Sequence, residues 1–208
     1  IELIVKTIVI TGPSGSGKSF LSNKLSKLFD NSILIKTDSY YRDNILIRFL
    51  SKFLFDIYDR PFSIKKNELK KTIEDISMSR SEIKCFQYDF IKKKSSYSIK
   101  KINNKGKNQI LILEGIFAHR LDLNYSKTIN ILCKEEKSIC LKRRLIRDKS
   151  NRGRSKDEII KRFCCAWNLF YINLKSYINY NQVIKINTSD KINYENLIYK
   201  INNQFTNN

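Results

Sequence analysis

The sequence is short of acidic residues and contains no long uninterrupted apolar run. Asp and Glu together number 20 against 40 Lys and Arg, so the formal net charge of the 208-residue chain is +20. Such an excess suits anionic partners, which include nucleotides, nucleic acid and acidic membrane surfaces. However, the charge is spread along the chain, and Ile, Lys, Asn, Phe and Tyr are abundant throughout, as an AT-rich coding sequence would produce. We therefore expect no specific nucleic-acid partner.

Patterns typical of disulfide frameworks and metal sites are also missing. The five cysteines include no Cys-x-x-Cys pair and no metal-ligand spacing, and their odd number argues against a secreted disulfide framework. The segment 1–10 is too short for a signal or membrane helix, and charged residues interrupt it. These absences favour a cytoplasmic protein without a membrane partner. The chain length favours a single domain over residues 1–208.

The sequence does contain a stretch that fits a phosphate-binding loop, Gly-Pro-Ser-Gly-Ser-Gly-Lys-Ser at 12–19. An apolar run precedes it and a helical pattern follows it, which is the context that separates such a loop from a chance match. Its backbone N–H groups would surround phosphates, Lys18 would reach the β- and γ-phosphates, and Ser19 would bind Mg²⁺. The alternative is a glycine-rich turn at a helix start, against which the lysine, the serine and both flanks argue. The predicted ATP-binding residues of this stretch are Gly12, Ser14, Gly15, Ser16, Gly17, Lys18, Ser19 and Phe20.

Short apolar runs alternate with helical patterns, which indicates an α/β fold with a mostly parallel sheet. We expect a three-layer α/β/α sandwich of the P-loop NTPase type, with strands at 6–11, 32–37, 109–113, 128–132 and 182–187. Predicted helices run from the loop to residue 30 and over 44–59, 65–78, 135–148, 155–180 and 194–201. A small antiparallel insertion is expected at 83–102, with an exposed turn at 92–98, and residues 202–208 are expected to fray.

Two of the predicted strands are followed by a carboxylate. Asp38 follows the second strand, and Glu114 follows the strand at 109–113. Because ligands of open parallel sheets bind beyond the carboxyl ends of the strands, Asp38 should lie near the phosphates if the second strand neighbours the first. We predict that Glu114 joins Ser19 in binding Mg²⁺. For Asp38, a helix N-cap is the alternative to a role in the site.

The densest charge cluster runs from residue 143 to residue 154 and favours Arg, although Lys is the commoner cation elsewhere. Guanidinium groups bind phosphate oxygens in bidentate geometry and stabilise charge on a transferring phosphoryl group. Gly153 lies between Arg152 and Arg154, where a flexible loop would let both arginines fold onto phosphate. We therefore predict a mobile, Arg-rich lid at 148–156. A solvated helix face is the alternative.

Together these separated pieces resemble one family, the uridine kinase and phosphoribulokinase group of P-loop kinases. The resemblance implies transfer of the γ-phosphate of ATP, with Mg²⁺, to the 5′-hydroxyl of uridine, and often of cytidine, as in pyrimidine salvage. The matching motifs occur in the family's order. They are the phosphate-binding loop at 12–19, Asp-Ser-Tyr-Tyr at 38–41, Asp-x-Pro at 59–61, Tyr-Asp-Phe at 88–90, Glu-Gly-Ile at 114–116 and Arg-Asp-x-x-x-Arg-Gly-Arg at 147–154.

The resemblance also implies roles for individual residues. Asp38 matches the acid that accepts the hydroxyl proton, and Lys18 and Arg147 complete the implied catalytic set. Arg152 and Arg154 match the arginines that close on ATP. The implied substrate-binding residues are Asp38, Tyr41, Asp59, Tyr88, Lys93, Arg144 and Arg147.

Four positions depart from the family pattern. Lys93 stands where a histidine touches the pyrimidine, and Arg162 stands where a glutamine contacts the base. Phe86 replaces a proline, and Asn151 replaces a glutamate. The phosphate-binding residues are therefore intact while the base-reading residues are changed, which leaves open another hydroxyl acceptor such as a sugar phosphate or a pantothenate-like compound.

Two further alternatives follow from the sequence. A basic nucleic-acid-binding ATPase is the candidate from a different functional class, because of the high positive charge. The sequence is compatible with a homo-oligomer. The single histidine, His119, has no motif around it, which predicts a structural or exposed side chain.

Overall fold

The computed structural model describes residues 6–53, 57–103, 108–121, 128–180 and 182–206. Its strands are β1 (Lys6–Thr11), β2 (Ser32–Lys36), β3 (Glu82–Asp89), β4 (Lys94–Lys101), β5 (Ile110–Glu114), β6 (Thr128–Lys134) and β7 (Val183–Asn187). Five of them form a parallel sheet in the order β2-β5-β1-β6-β7, and β3 pairs with β4 as a separate antiparallel sheet. The predicted α/β fold, with its five-stranded sheet and antiparallel insertion, is confirmed.

The helices are α1 (Lys18–Leu28), α2 (Ile45–Phe53), α3 (Lys66–Ser77), α4 (Lys137–Arg152), α5 (Lys156–Tyr180) and α6 (Lys191–Thr206). Short 3₁₀ helices cover Thr37–Tyr40, Ile57–Asp59, Pro61–Ser63 and Ala118–Leu121. None of the described helices combines the length and the apolar character needed to cross a membrane.

Both faces of the parallel sheet are buried. On one face, Val9 and Leu113 belong to the same apolar cluster as Leu69, Ile73 and Ile76 of α3. The opposite face packs Ile8, Ile10, Ile112 and Ile131 with Leu21, Leu25, Leu197 and Ile201. Because alternate side chains of each strand enter one of two covered faces, the strands appear in the sequence as nearly continuous apolar runs.

The register of the sheet brings the ends of three strands to one edge. Glu114, the last residue of β5, is paired with Ile10 of β1 and with Lys36 of β2. The segments that follow these strands therefore begin side by side, as expected for the ligand-binding edge of an open parallel sheet.

Helix α2 is shorter than the helix predicted at 44–59, and residues 54–56 lie outside the described residues. The sequence pattern grouped Leu46, Phe49, Leu50, Phe53 and Leu54 on one side. Among those whose side chains are described, Leu46 (62%), Phe49 (56%) and Phe53 (65%) are exposed, whereas Ile47 is buried.

Two predictions about segment ends are wrong. The exposed turn was predicted at 92–98, but it lies between Asp89 and Lys94. These two residues form the pair of the β3–β4 ladder next to the turn. The fraying predicted at 202–208 does not apply to residues 202–206, which continue α6. Phe205 anchors this end because its ring is buried, and Lys6 Nζ donates a hydrogen bond to its carbonyl oxygen at 3.0 Å.

Candidate active site

The predicted phosphate loop lies between β1 and α1, at the edge where the three strands end. Gly15 and Gly17 both have a φ of +88°, a conformation that side-chain-bearing residues rarely adopt. A Cβ at Gly15 would overlap the carbonyl oxygen of Cys140 in α4, and a Cβ at Gly17 would overlap the side chain of Thr188. The loop is therefore held closely between α4 and the turn after β7, and only glycine fits at these two positions.

The loop offers donors suited to an anion. Lys18 is buried, and its Nζ donates to the carbonyl oxygen of Pro13 at 2.9 Å, so the ammonium group lies over the loop. The hydroxyl of Ser16 is buried and finds no hydrogen-bond partner within the described part of the chain. Buried polar groups without a protein partner are rare and mark places where a ligand or ion can complete the bonding. These residues therefore fit a bound polyphosphate.

Asp38 and Glu114 are brought together by a close contact between two neighbouring strand ends. Thr37 directly follows β2, Gly115 directly follows β5, and a Cβ on Gly115 would overlap the Thr37 side chain. Glycine at 115 is thus needed for the close approach of the two segments. Asp38 accepts a hydrogen bond from the Tyr41 hydroxyl at 3.4 Å.

Glu114 is buried beside the phosphate loop. Burial raises the pKa of its carboxyl, with Asp38 adding to the increase, while Lys18 and a hydrogen bond from Ser19 act in the opposite direction. Among the described residues, no group of three or more His, Cys, Asp or Glu side chains could hold a metal ion. A Mg²⁺ ion held by Ser19, Glu114, phosphate oxygens and water would nevertheless suit this site, because Mg²⁺ commonly uses few protein ligands.

Asp148 is the centre of the arginine cluster. Its carboxylate is completely buried and forms ion pairs with Arg147 at 2.7 Å, Arg154 at 2.9 Å, Arg144 at 3.5 Å and Arg152 at 3.6 Å. Burial raises the pKa of Asp148, but the guanidinium groups, with that of Arg147 first, outweigh this effect and the pKa lies below its usual value. Asp148 is therefore ionised at neutral pH and holds four arginines in one place.

The lid predicted at 148–156 consists mostly of helix. Residues 148–152 form the last part of α4, and α5 begins at Lys156. Gly153 has a φ of +60° and ends α4 as a left-handed cap, which turns the chain towards Arg154. Arg152 is thus presented by a helix and not by a flexible loop. The mobility of this segment stays a prediction.

These residues surround a cavity of approximately 210 Å³. The predicted site residues that line it are Ser14, Gly15, Gly17, Lys18, Ser19, Phe20, Asp38, Tyr41, Glu114, Arg144, Arg147, Arg152 and Arg154. Arg147 connects the phosphate loop with α4. The Arg147 Nη2 donates to the Ser14 hydroxyl of the loop at 3.3 Å, and the Arg147 Nε donates to Asp148 of α4 at 2.8 Å.

Other predicted site residues lie outside the described lining of this cavity. Gly12 and Ser16 belong to the loop but do not line the cavity. Tyr88 forms edge-to-face contacts with Tyr41 and with Phe90, at centroid distances of 5.5 Å and 5.2 Å, and therefore supports two lining residues. The two remaining residues are Lys93, which has a φ of +51° in the hairpin turn, and Asp59, whose side chain is outside the described part.

Five lining residues were absent from the predicted site: Tyr58, Phe90, Ile116, Arg143 and Arg162. Phe90 is the last residue of the Tyr-Asp-Phe motif, and Ile116 is the last residue of the Glu-Gly-Ile motif. Membership of these motifs was a signal by which both residues could have been found. The Arg152 guanidinium lies 3.9 Å from the centroid of the Phe90 ring. Arg162, which was noted as a changed base contact, is buried and donates to Glu158 at 2.8 Å.

His119 is structural, in agreement with one of the two predicted alternatives. Its side chain is buried, and its Nδ1 lies 2.9 Å from the Thr11 hydroxyl, which itself donates to the carbonyl oxygen of Ile116. Because the threonine proton is used in that bond, Nδ1 must carry the proton that it donates to Thr11. Burial and the nearby Arg120 lower the pKa of His119 to about 4, so the ring is neutral at physiological pH.

Comparison with known proteins identifies several relatives. The sequence matches the model of the "Phosphoribulokinase / Uridine kinase family" over residues 7–179. A curated uridine kinase of Ureaplasma parvum is 32% identical over 157 residues, which cover 74% of this chain and 73% of that protein. A curated uridine kinase of Borrelia duttonii is 32% identical over 163 residues, covering 77% and 75%. The solved structure of a "Possible Uridine Kinase" from Bacillus stearothermophilus has a TM-score of 0.60 at 13% identity and covers 88% of this chain and 89% of that chain, which shows the fold alone.

Proposed function

The chain belongs to the phosphoribulokinase and uridine kinase family, and on that premise we propose that it transfers the γ-phosphate of ATP to the 5′-hydroxyl of uridine. Membership of this family makes the chain a phosphotransferase with a hydroxyl acceptor. The choice of uridine is supported by the curated relatives, which are called uridine kinases.

The observation that carries the proposal is that two carboxylates, one lysine and several arginines line a single cavity. Asp38, Lys18 and Arg147 all contribute to its walls. Phosphoryl transfer needs little covalent chemistry from the protein, so a site made of an anion-binding loop, cations and one nearby carboxylate is sufficient.

In the proposed reaction, the acceptor hydroxyl oxygen bonds to the γ-phosphorus while the bond from that phosphorus to the β–γ bridging oxygen breaks. ADP leaves, and the hydroxyl proton passes to the Asp38 carboxylate. Lys18 and Arg147 stabilise the negative charge that is spread over the transferring phosphoryl group. Mg²⁺, held by Ser19 and Glu114, would neutralise phosphate charge and fix the phosphate geometry.

The acceptor side of the cavity is supported by aromatic rings. Tyr41, Tyr58 and Phe90 line it, and Tyr88 packs against all three. An aromatic wall in the same cavity as the Asp38 carboxylate suits a nucleobase, because aromatic rings pack favourably on a planar ring. Arg162 adds a group that only donates hydrogen bonds, which suits a carbonyl oxygen of the base.

A second candidate acceptor is favoured by the same arginine. Arg162 stands where the family resemblance places a neutral side chain, and a cation in the lining of the cavity would also bind a sugar phosphate. This alternative keeps the reaction and changes only the acceptor.

A substrate panel tests the proposal. The purified protein is incubated with ATP, Mg²⁺ and, separately, uridine, cytidine, a pentose phosphate and pantothenate, and the products are identified by mass spectrometry. We expect uridine 5′-monophosphate. Turnover of another alcohol without turnover of uridine or cytidine would remove the uridine assignment, and absence of any acceptor-dependent ADP release would remove the proposed kinase reaction.

A matched pair of variants checks that the measured activity belongs to this site. Lys18→Ala is expected to abolish transfer, whereas Lys27→Ala removes an exposed lysine from the same helix and should leave the rate unchanged. A thermal-shift assay adds an independent readout, because a non-hydrolysable ATP analogue and uridine should each raise the melting temperature of the wild-type protein.

We also propose a cytoplasmic enzyme that acts on a small molecule. The thiols support this localisation, because the five cysteines are free and such thiols persist in a reducing compartment. A homo-oligomer is compatible with the proposal.

A further inference from the structure

Two side chains from distant parts of the sequence donate hydrogen bonds to the outer carbonyl groups of the phosphate loop. The Thr188 hydroxyl donates to the Ser16 carbonyl oxygen at 2.8 Å, across 172 residues of sequence. Arg143 Nη1 donates to the Gly15 carbonyl oxygen at 3.2 Å, across 128 residues. Thr188 belongs to none of the motifs that identified the site, whereas Arg143 is the first residue of the arginine cluster.

The direction of these bonds matters because a trans peptide unit is planar, with its C=O and N–H groups pointing in opposite directions. The carbonyl oxygen of Ser16 and the N–H of Gly17 belong to one peptide unit. A donor that holds the carbonyl outwards therefore holds the N–H towards the inside of the loop. Inward-pointing N–H groups are the feature by which such loops bind phosphate.

Both donors are themselves held in place. Arg143 Nη2 donates to the Ser189 hydroxyl at 3.0 Å, and its Nη1 lies 3.3 Å from the carboxylate of Glu135, a side chain that is 1% exposed. The Ser189 hydroxyl also donates to Glu135. Thr188 fills the space next to Gly17, where no Cβ would fit. The turn after β7 and the buried Glu135 carboxylate thus hold Arg143 against the loop, and Thr188 packs directly on Gly17.

We propose that Thr188 is a positioning residue for ATP binding, which acts by fixing the orientation of the Ser16–Gly17 peptide. Arg143 does not act in the same way, because the N–H of the Gly15–Ser16 peptide donates to the carbonyl oxygen of Pro13 at 3.2 Å. This inference rests on the proposed use of ATP. Thr188 has no proposed contact with the acceptor. A substitution of Thr188 should therefore change nucleotide binding and leave acceptor binding unchanged.

The test uses Thr188→Val, which keeps the shape of the side chain and removes the donor, and Thr188→Ser, which keeps the hydroxyl. The dissociation constant of a non-hydrolysable ATP analogue is measured by isothermal titration calorimetry, beside KM for ATP and for the acceptor. Loss of one hydrogen bond should weaken analogue binding and raise KM for ATP by about five-fold in Thr188→Val. KM for the acceptor should not change, and Thr188→Ser should restore nucleotide binding.

A matched threonine distinguishes positioning from a general loss of stability. Thr72 is buried in α3 and donates to the carbonyl oxygens of Glu68 and Lys84, each at 3.0 Å. Thr72→Val should lower the melting temperature without changing analogue binding. Wild-type analogue affinity in Thr188→Val, or equally weak binding by Thr188→Val and Thr188→Ser, would overturn the inference while leaving the kinase proposal intact. Failure of the wild-type protein to bind the analogue would instead overturn the proposed use of ATP.

Discussion

Arg147 and Asp148, which are neighbours in α4, are joined by a hydrogen bond from Nε at 2.8 Å and by an ion pair in which Nη2 lies 2.7 Å from the same carboxylate oxygen. The same guanidinium group reaches the Ser14 hydroxyl of the phosphate loop. Asp148 thus sets the position of an arginine that lines the cavity, although its own side chain is completely buried.

The first prediction concerns this buried charge. Asp148→Asn keeps the size of the side chain but removes the counter-charge of four guanidinium groups. Breaking a buried ion pair by neutralising one partner typically costs about 3 kcal/mol or more, so the free energy of unfolding in urea should fall by roughly that amount. Asp157→Asn, which changes an exposed aspartate at the start of α5, is the control. Equal stability of the two variants would contradict a structural role for Asp148.

The second prediction concerns the close contact of Gly115 with Thr37. Gly115→Ala should displace the segment that carries Asp38, and should therefore lower both the melting temperature and kcat. The Thr37 hydroxyl has no hydrogen-bond partner among the described residues, so Thr37→Ala alone should be mild. The double variant should recover part of what Gly115→Ala loses, because it removes the clashing oxygen. Simple additivity in this double-mutant cycle would show that the two residues do not interact.

The third prediction tests the proposed base. Asp38→Asn should reduce kcat by about 10²-fold or more, since general base catalysis is typically of that size. Binding of a non-hydrolysable ATP analogue should change little, because the loop itself is intact. Asp30→Asn, at an exposed position, serves as the control. Near-normal turnover by Asp38→Asn would remove Asp38 as the proton acceptor.

The fourth prediction concerns acid sensitivity. His119 has a folded-state pKa of about 4, below its ordinary value of 6.5, so the unfolded state binds more protons between these pH values. Its contribution to stability is therefore complete above pH 6.5 and is lost as the pH falls towards 4, by up to about 1.4 kcal/mol per pH unit. Urea titrations at pH 7, 6, 5 and 4.5 should show this slope.

The comparison variant for the acid series is His119→Gln, which retains a side-chain donor for Thr11. Since the sequence contains one histidine, the slope between pH 6.5 and pH 4.5 should be smaller in this variant. Glu114 acts in the opposite direction, because its raised folded-state pKa favours proton uptake by the folded protein. The difference between the two proteins therefore isolates the histidine, and identical slopes would contradict its assignment as a buried neutral ring.

The strands and the loop could be predicted from the sequence because their signals are local. A buried parallel strand is a short apolar run, and the loop carries its glycines, lysine and serine in eight consecutive residues, 12–19. Asp38 and Glu114 could be placed near the loop from topology alone, because the carboxyl ends of parallel strands meet at one edge.

The remaining features depend on contacts that no local pattern encodes. Arg143 and Thr188 touch the loop only after α4 and the turn beyond β7 pack against it. The arginine cluster was expected in a flexible lid, but the buried Asp148 and the helical periodicity of α4 place most of it on a helix. The sequence could not show that the apolar face of α2 is exposed. The spacing of apolar residues shows which side of a helix is apolar, but it does not show which element packs against that side.

The bond from Thr188 to Ser16 has a consequence for the growing chain. Its two ends are separated by 172 residues, so the ribosome must synthesise this whole intervening segment before the turn beyond β7 can dock on the loop. Nascent fragments that contain residues 12–19 but lack Thr188 should therefore bind nucleotide more weakly than chains that include Thr188.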